Sequence, residues 1–136
     1  MSHLTTYKSA VLINCNKFLL RKAVQDIGLD IDYNIKTISN TWINADVDAG
    51  FLKDGHPISI GVKFIKDKGN TKLEVEGDFF GTGVNQRSFI NQLAQAYKKQ
   101  DVIYQCKEQG WTIDNEDICV DNETNEIIIK ASRYVV

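Results

Sequence analysis

A chain of 136 residues, 43% hydrophobic and 25% charged, has the composition of one ordinary globular domain, long enough to bury a core without a disulfide or structural metal. Its formal charge of −2 gives no basic face of the size that sequence-independent nucleic-acid binding requires, and Lys98–Lys99 reads as a solvated helix face. No apolar run approaches the roughly 20 residues that span a bilayer, so neither nucleic acid nor a membrane is an expected partner.

The start, "MSHLTTYKSAVLINCNKFLL", lacks a charged region followed by a continuous apolar one, so no signal peptide is read. Cys15, Cys106 and Cys119 form no C-x-x-C pair and fit free thiols in a reducing compartment. A cytoplasmic location is expected.

Leu4 to Ile13 reads as a first strand. Asn14 or Asn16 can then cap a short helix with Phe18, Leu19, Ala23, Val24 and Ile27 at three- and four-residue spacings, and Gly28 stops it. "LDIDYNIKTI" alternates through Leu29, Ile31, Tyr33 and Ile35 and predicts a half-buried strand. "WINADVDAGFL" alternates through Ile43, Ala45, Val47 and Ala49 and gives a further strand before the turn "KDGHP".

The clearest signal follows. "ISIGVKFI" places Ile58, Ile60, Val62 and Phe64 on one face, and "TKLEVEGDFF" does the same with Leu73, Val75, Gly77 and Phe79. Lys72, Glu74, Glu76 and Asp78 take the other face, so the pattern predicts an antiparallel hairpin with a dry and a wet side. Gly77 falls on the dry side, where a missing side chain predicts the close approach of a helix.

That helix is the run "FINQLAQAYKKQDVIYQCKEQGW", with Asn85 as its cap and Gly110 as its stop. Leu93, Ala96, Tyr97, Ile103 and Tyr104 share a stripe with Phe89. Some 24 residues at about 1.5 Å each span roughly 36 Å, enough to cross a sheet. Gln100 and Lys107 interrupt the stripe, so Gln100, Tyr104 and Lys107 are candidates for contact with a partner. "WTIDNEDICV" and "EIIIKASRYV" around "DNETN" predict a closing hairpin. The order β-α-β-β-β-α-β-β gives an α+β class, a two-layer sandwich in which a mainly antiparallel sheet of six or seven strands carries two helices on one face.

Reactive constellations are sparse. With two histidines, His3 and His56, no nucleophile–base–acid set and no G-x-S-x-G elbow can be assembled, so no catalytic residue is assigned. The isolated cysteines lack zinc spacing, the acidic clusters lack calcium-loop spacing, and neither metal nor cofactor is expected. Glu74 and Glu76, two apart on one strand, share a side and could seat an acid–base pair, but charges on a wet hairpin face serve solubility alone. "GDFFGTGVNQRS" is the loop with a sharper reading. Two glycines and Arg87 at a helix start can admit a small anion, although the Gly-Lys-Ser/Thr ending of a P-loop is missing. Gly81, Gly83 and Arg87, with His3 as a polar contributor, are the candidate ligand residues.

"MSHLTTYKS", "AVQDIGL", "GDFFG", "FINQLAQAY" and "KEQGW", in that order, resemble the hypothetical chloroplast reading frame 35 family, a domain of unknown function from plastids, cyanobacteria and other bacteria. The resemblance runs from Met1 to about Tyr134. Its most specific parts are the Met-Ser-His start and the pattern at Phe89, Asn91, Gln92, Gln95 and Tyr97. The family usually continues with an alanine-tyrosine-histidine-like run where this chain has "KKQDVIYQC", and often has tryptophan at the position of Phe79. It brings no established reaction. Some members are encoded near AAA-type ATPases, so the resemblance implies an accessory or adaptor role.

Two readings follow for function. The first is a non-enzymatic binding or adaptor module that meets a protein partner or a second copy of itself. The second is a binder of, or enzyme for, a small anionic, nucleotide-like ligand at the Gly81–Arg87 loop.

Overall fold

The computed structural model describes residues 5–112, 118–120, 127–129 and 132–133. The hairpin read from the 58–79 alternation forms its centre. β6 (His56–Asp67) and β7 (Asn70–Gly77) pair antiparallel in unbroken register from Ile60↔Gly77 to Asp67↔Asn70. β1 (Thr5–Ile13) pairs with the free side of β7, and β5 (Ala49–Lys53) with that of β6. β2 (Asp30–Asp32) adds to β5, giving one five-stranded antiparallel sheet in the order β1-β7-β6-β5-β2.

Two helices lie across one face, as the sequence predicts. α1 (Lys17–Asp26) is capped by Asn16, whose side-chain oxygen accepts from the Phe18 and Leu19 N–H groups at 2.9 and 3.1 Å. α2 (Gln86–Glu108) is capped in the same way by Asn85. Leu20, Ala23 and Val24 of α1 and Phe89, Leu93 and Ala96 of α2 share one buried cluster with Phe51, Ile60, Val62, Leu73 and Val75 of the sheet. The α+β sandwich class holds.

Three differences from the sequence reading have physical causes. First, the six or seven strands resolve as five in the main sheet, with three short ribbons beside it among the described residues. "LDIDYNIKTI" breaks after Asp32, because the Asp32 carboxylate accepts from the Asn34 N–H at 2.8 Å and its carbonyl from the Ile35 N–H at 3.3 Å. That turn separates β2 from β3 (Thr37–Ser39), which pairs with β4 (Asn44–Asp46) as a separate hairpin. Within the closing segment, β8 (Trp111–Thr112) pairs with β11 (Ser132–Arg133), and β9 (Ile118–Val120) with β10 (Ile127–Ile129), both antiparallel.

Second, the wet face is only partly wet. The β3–β4 hairpin folds over it, with Ile35 against Gly50 and Val47 against Gly61, so Ile38, Val47 and Glu76 are buried. Lys63 lies opposite Glu74 in register and places its ammonium 3.6 Å from Glu76, offsetting the cost of that buried carboxylate. Third, Gly77 does not make room for a helix. A Cβ there would stand 2.2 Å from the Ser59 carbonyl oxygen and 2.7 Å from the Ile60 Cα, so the close approach is by the neighbouring strand.

Burial along α2 stops at Ala96. The distal turns from Tyr97 onward are half-buried or exposed, with Tyr104 47% exposed. The helix is a beam over its first half and projects over its second.

Candidate functional site

Asp78, the residue just after β7, places a buried carboxylate between two loops. Asp78 is 2% exposed, and its main chain is locked to Ser59: its N–H donates to the Ser59 carbonyl at 2.9 Å, and the Ser59 hydroxyl donates back to its carbonyl at 2.7 Å. One carboxylate oxygen accepts from the Asn40 amide at 2.9 Å, the other from the Phe80 N–H at 3.1 Å. Asn40 in turn accepts from the N–H groups of Trp42 and Ile43 at 2.8 and 2.9 Å. A continuous bonded chain therefore links Trp42 in the β3–β4 turn to Phe80 in the loop before α2.

Both aromatics stand in solvent, Trp42 at 70% and Phe80 at 71% exposure. Its neighbour Phe79 is buried edge-on against Phe89, with ring centroids 5.6 Å apart. A tryptophan and a phenylalanine held this openly on ordered loops are the side chains that protein interfaces use as anchors.

A second feature is a cleft of about 280 Å³ between the end of α1 and the start of α2, lined by Ile27, Gly28, Leu29, Lys53, Gly83, Val84, Asn85, Phe89 and Gln92. Lys53 donates to the Thr82 carbonyl at 3.2 Å, and its ammonium occupies the space that a side chain on residue 83 would need.

The predicted ligand residues separate here. Gly83 lines the cleft; Gly81 and Arg87 are exposed and do not. His3 lies outside the described residues. The α2 terminus is also occupied, since Asn85 accepts from the Arg87 and Ser88 N–H groups through its side chain and from Phe89 through its carbonyl. Of the predicted contact residues, Tyr104 and Lys107 are exposed, whereas the Gln100 amide donates to Asp26 at 2.6 Å and so ties α2 to the end of α1.

Several residues between Phe89 and Tyr97 on α2 have structural roles. Phe89 is core, Gln92 borders the cleft, and the Tyr97 hydroxyl accepts from the Asn16 N–H at 2.8 Å, holding the start of α1. Burial, followed by the nearby Asp101 carboxylate, pushes the Cys15 thiol up from 9.0 to about 11. Burial likewise raises Tyr33 from 10.0 to about 12 and raises Tyr97.

Cys15 is thus held as an unreactive thiol, and alkylation of the folded protein at pH 8 is expected to be about 100-fold slower at Cys15 than at an ordinary thiol. The folded chain keeps this proton where the unfolded chain has lost it. The associated stabilisation is complete below about pH 9 and declines as pH rises toward about 11, with Tyr33 extending the decline toward about 12. Peptide-resolved alkylation and urea midpoints between pH 8 and 11 check both; rapid labelling of Cys15 or a flat midpoint opposes them.

Sequence reasoning passed over Trp42, Phe80 and Lys53. The doubled phenylalanine just past the end of a strand was the available signal for Phe80, because adjacent residues in extended chain point to opposite sides and cannot both be buried on one face. Among the described residues, no group of three or more His, Cys, Asp or Glu could hold a metal ion, and no helix is long and apolar enough to cross a membrane. Comparison with known protein families, with curated proteins and with solved structures returns no match.

Proposed function

We propose that this chain is a non-enzymatic binding or adaptor module of the cytoplasm that docks another protein on the Trp42–Phe80 surface. The observation that carries the reading is the pair of exposed aromatics on loops cross-braced through Asn40 and Asp78. Bracing supports it because ordering the contact loops before docking removes an entropic cost that flexible loops would impose at binding. The resemblance to the chloroplast reading frame 35 family adds an AAA-type ATPase as the partner, with a second copy of the chain as the other occupant. On α2, with Gln100 bound to Asp26, Tyr104 and Lys107 are the residues left for a secondary contact.

The test is a Trp111→Phe protein, in which Trp42 is the sole tryptophan, mixed with a purified AAA-type ATPase or concentrated by itself. Its emission is expected to shift to shorter wavelength as the complex or dimer forms. Trp42→Ala/Phe80→Ala is expected to weaken association by at least about 100-fold, as removal of two anchor residues does, while thermal stability stays within about 2 °C of the parent. Unchanged association in that double variant sinks the reading.

A further inference from the structure

The cleft between the end of α1 and the start of α2 has a different chemistry from the aromatic surface. Its floor is apolar: Leu29 and Phe89 are buried, and Ile27 and Val84 pack against the core cluster. Its rim is polar, with the ammonium of Lys53 and the amide side chains of Asn85 and Gln92. We propose that the cleft binds a small monocarboxylate with a short apolar tail, its carboxylate on Lys53 and its tail on Leu29, Val84 and Phe89. This is independent of the protein-docking reading and places any small-ligand site away from Gly81 and Arg87.

Charge counting selects the anion. Lys63, Lys72 and Lys99 each stand within 4.0 Å of a carboxylate, on Glu76, Asp67 and Asp26. Lys53 is half-buried and has one bond, to the neutral Thr82 carbonyl, with no ion pair among the described residues. An ammonium has three N–H groups, so Lys53 keeps donor capacity in a concave site whose lining mixes polar and apolar groups. Gly83 has no side chain to displace the ammonium from that position: an added Cβ would lie 2.1 Å from Nζ. The anion receptor here is Lys53. The Arg87, Ser88 and Phe89 N–H groups at the start of α2 are already bonded to Asn85, so they do not supply it.

Size and charge together exclude the larger candidates. At about 280 Å³ the cleft sits at the lower limit of small-molecule pockets. A nucleotide brings two or more negative charges and a sugar and base, whereas the cleft offers one ammonium. Arg87, which could have met a second charge, is exposed and outside the lining. One cation over an apolar floor matches one carboxylate on a short chain.

The experiment uses hexanoate, its neutral analogue hexanamide, and AMP, each titrated into the whole protein while amide resonances are followed by NMR. Hexanoate is expected to give saturable shifts centred on Gly28, Leu29, Gly83 and Val84, and to bind about tenfold or more tightly than hexanamide, the advantage a charge-assisted bond confers. AMP is expected to leave those resonances in place. Lys53→Met should abolish the preference for hexanoate, and Lys53→Arg should retain part of it. The wild-type comparison of acid with amide needs no variant, so a misfolded Lys53→Met protein does not rescue the proposal. Equal binding of hexanoate and hexanamide, no saturable shift with hexanoate, or an AMP site that depends on Arg87 would each overturn it.

Discussion

Replacing Gly77 by alanine is expected to lower the unfolding free energy by about 4 kcal/mol, near the top of the range for single substitutions, and to drop the melting temperature by about 15 °C. Two costs combine. Gly77 has φ +151, a conformation that side-chain-bearing residues rarely adopt. The new methyl group would also meet the Ser59 carbonyl oxygen at 2.2 Å, and that atom belongs to a strand pinned by pairing on both sides. Backbone in the middle of a sheet cannot yield as a flexible side chain can. Gly81→Ala is the control. It shares a positive φ, +77, but nothing lies within 4 Å of its added Cβ, so the expected loss is about 1–2 kcal/mol. Equal losses at the two positions, measured by urea unfolding, would show that conformation alone is responsible and the strand approach is not.

Phe89→Ala should cost a similar amount, about 3–5 kcal/mol, because it empties a buried site that its neighbours cannot fill. Phe89 is 2% exposed and stacks edge-on against Phe51, 5.5 Å away, and against Phe79. Each aromatic pair adds about 0.5–1.5 kcal/mol beyond simple burial. Phe80→Ala, one position from Phe79, removes a ring that already stands in water and should change stability by less than about 0.5 kcal/mol. Calorimetry on the two alanine variants checks the contrast. A large loss at Phe80 would place that ring in the core and remove it from the proposed docking surface.

The parts of this fold that were legible in sequence are those set by local periodicity. Ile58 to Phe64 and Leu73 to Phe79 alternate because one side of each strand meets the helices, and that period is visible residue by residue. The cap at Asn85, the cap of α1 at one of Asn14 and Asn16, and the stops at Gly28 and Gly110 were equally local; the structure selects Asn16. What was hidden depends on partners far along the chain. Glu76 and Asp78 read as solvated because nothing near them announces the β3–β4 hairpin, 38 residues away for the Asn40–Asp78 bond. The Asp32 turn was masked by Tyr33 and Ile35, whose apolar side chains continue a strand-like pattern through a bend. Gln100 read as an unengaged interruption because its partner Asp26 lies 74 residues earlier. Gly83, singled out for its glycine chemistry, does line the cleft, but Lys53 was passed over, since only folding brings the end of β5 beside the loop before α2.

The neighbouring of β1 and β7 sets a timetable for synthesis. Residues 5–13 find their hydrogen-bonding partners in a strand that begins at Asn70, and the entry to α1 is fastened by a hydroxyl at residue 97. At about 5–20 residues per second, a ribosome needs roughly 3–13 s to travel the 65 positions from residue 5 to residue 70. During that interval the early segment is an unmatched β edge, the kind of surface that chaperones hold and that aggregates recruit. Synonymous changes that slow translation between residues 14 and 70 should therefore lower the yield of native protein, although they alter none of its contacts.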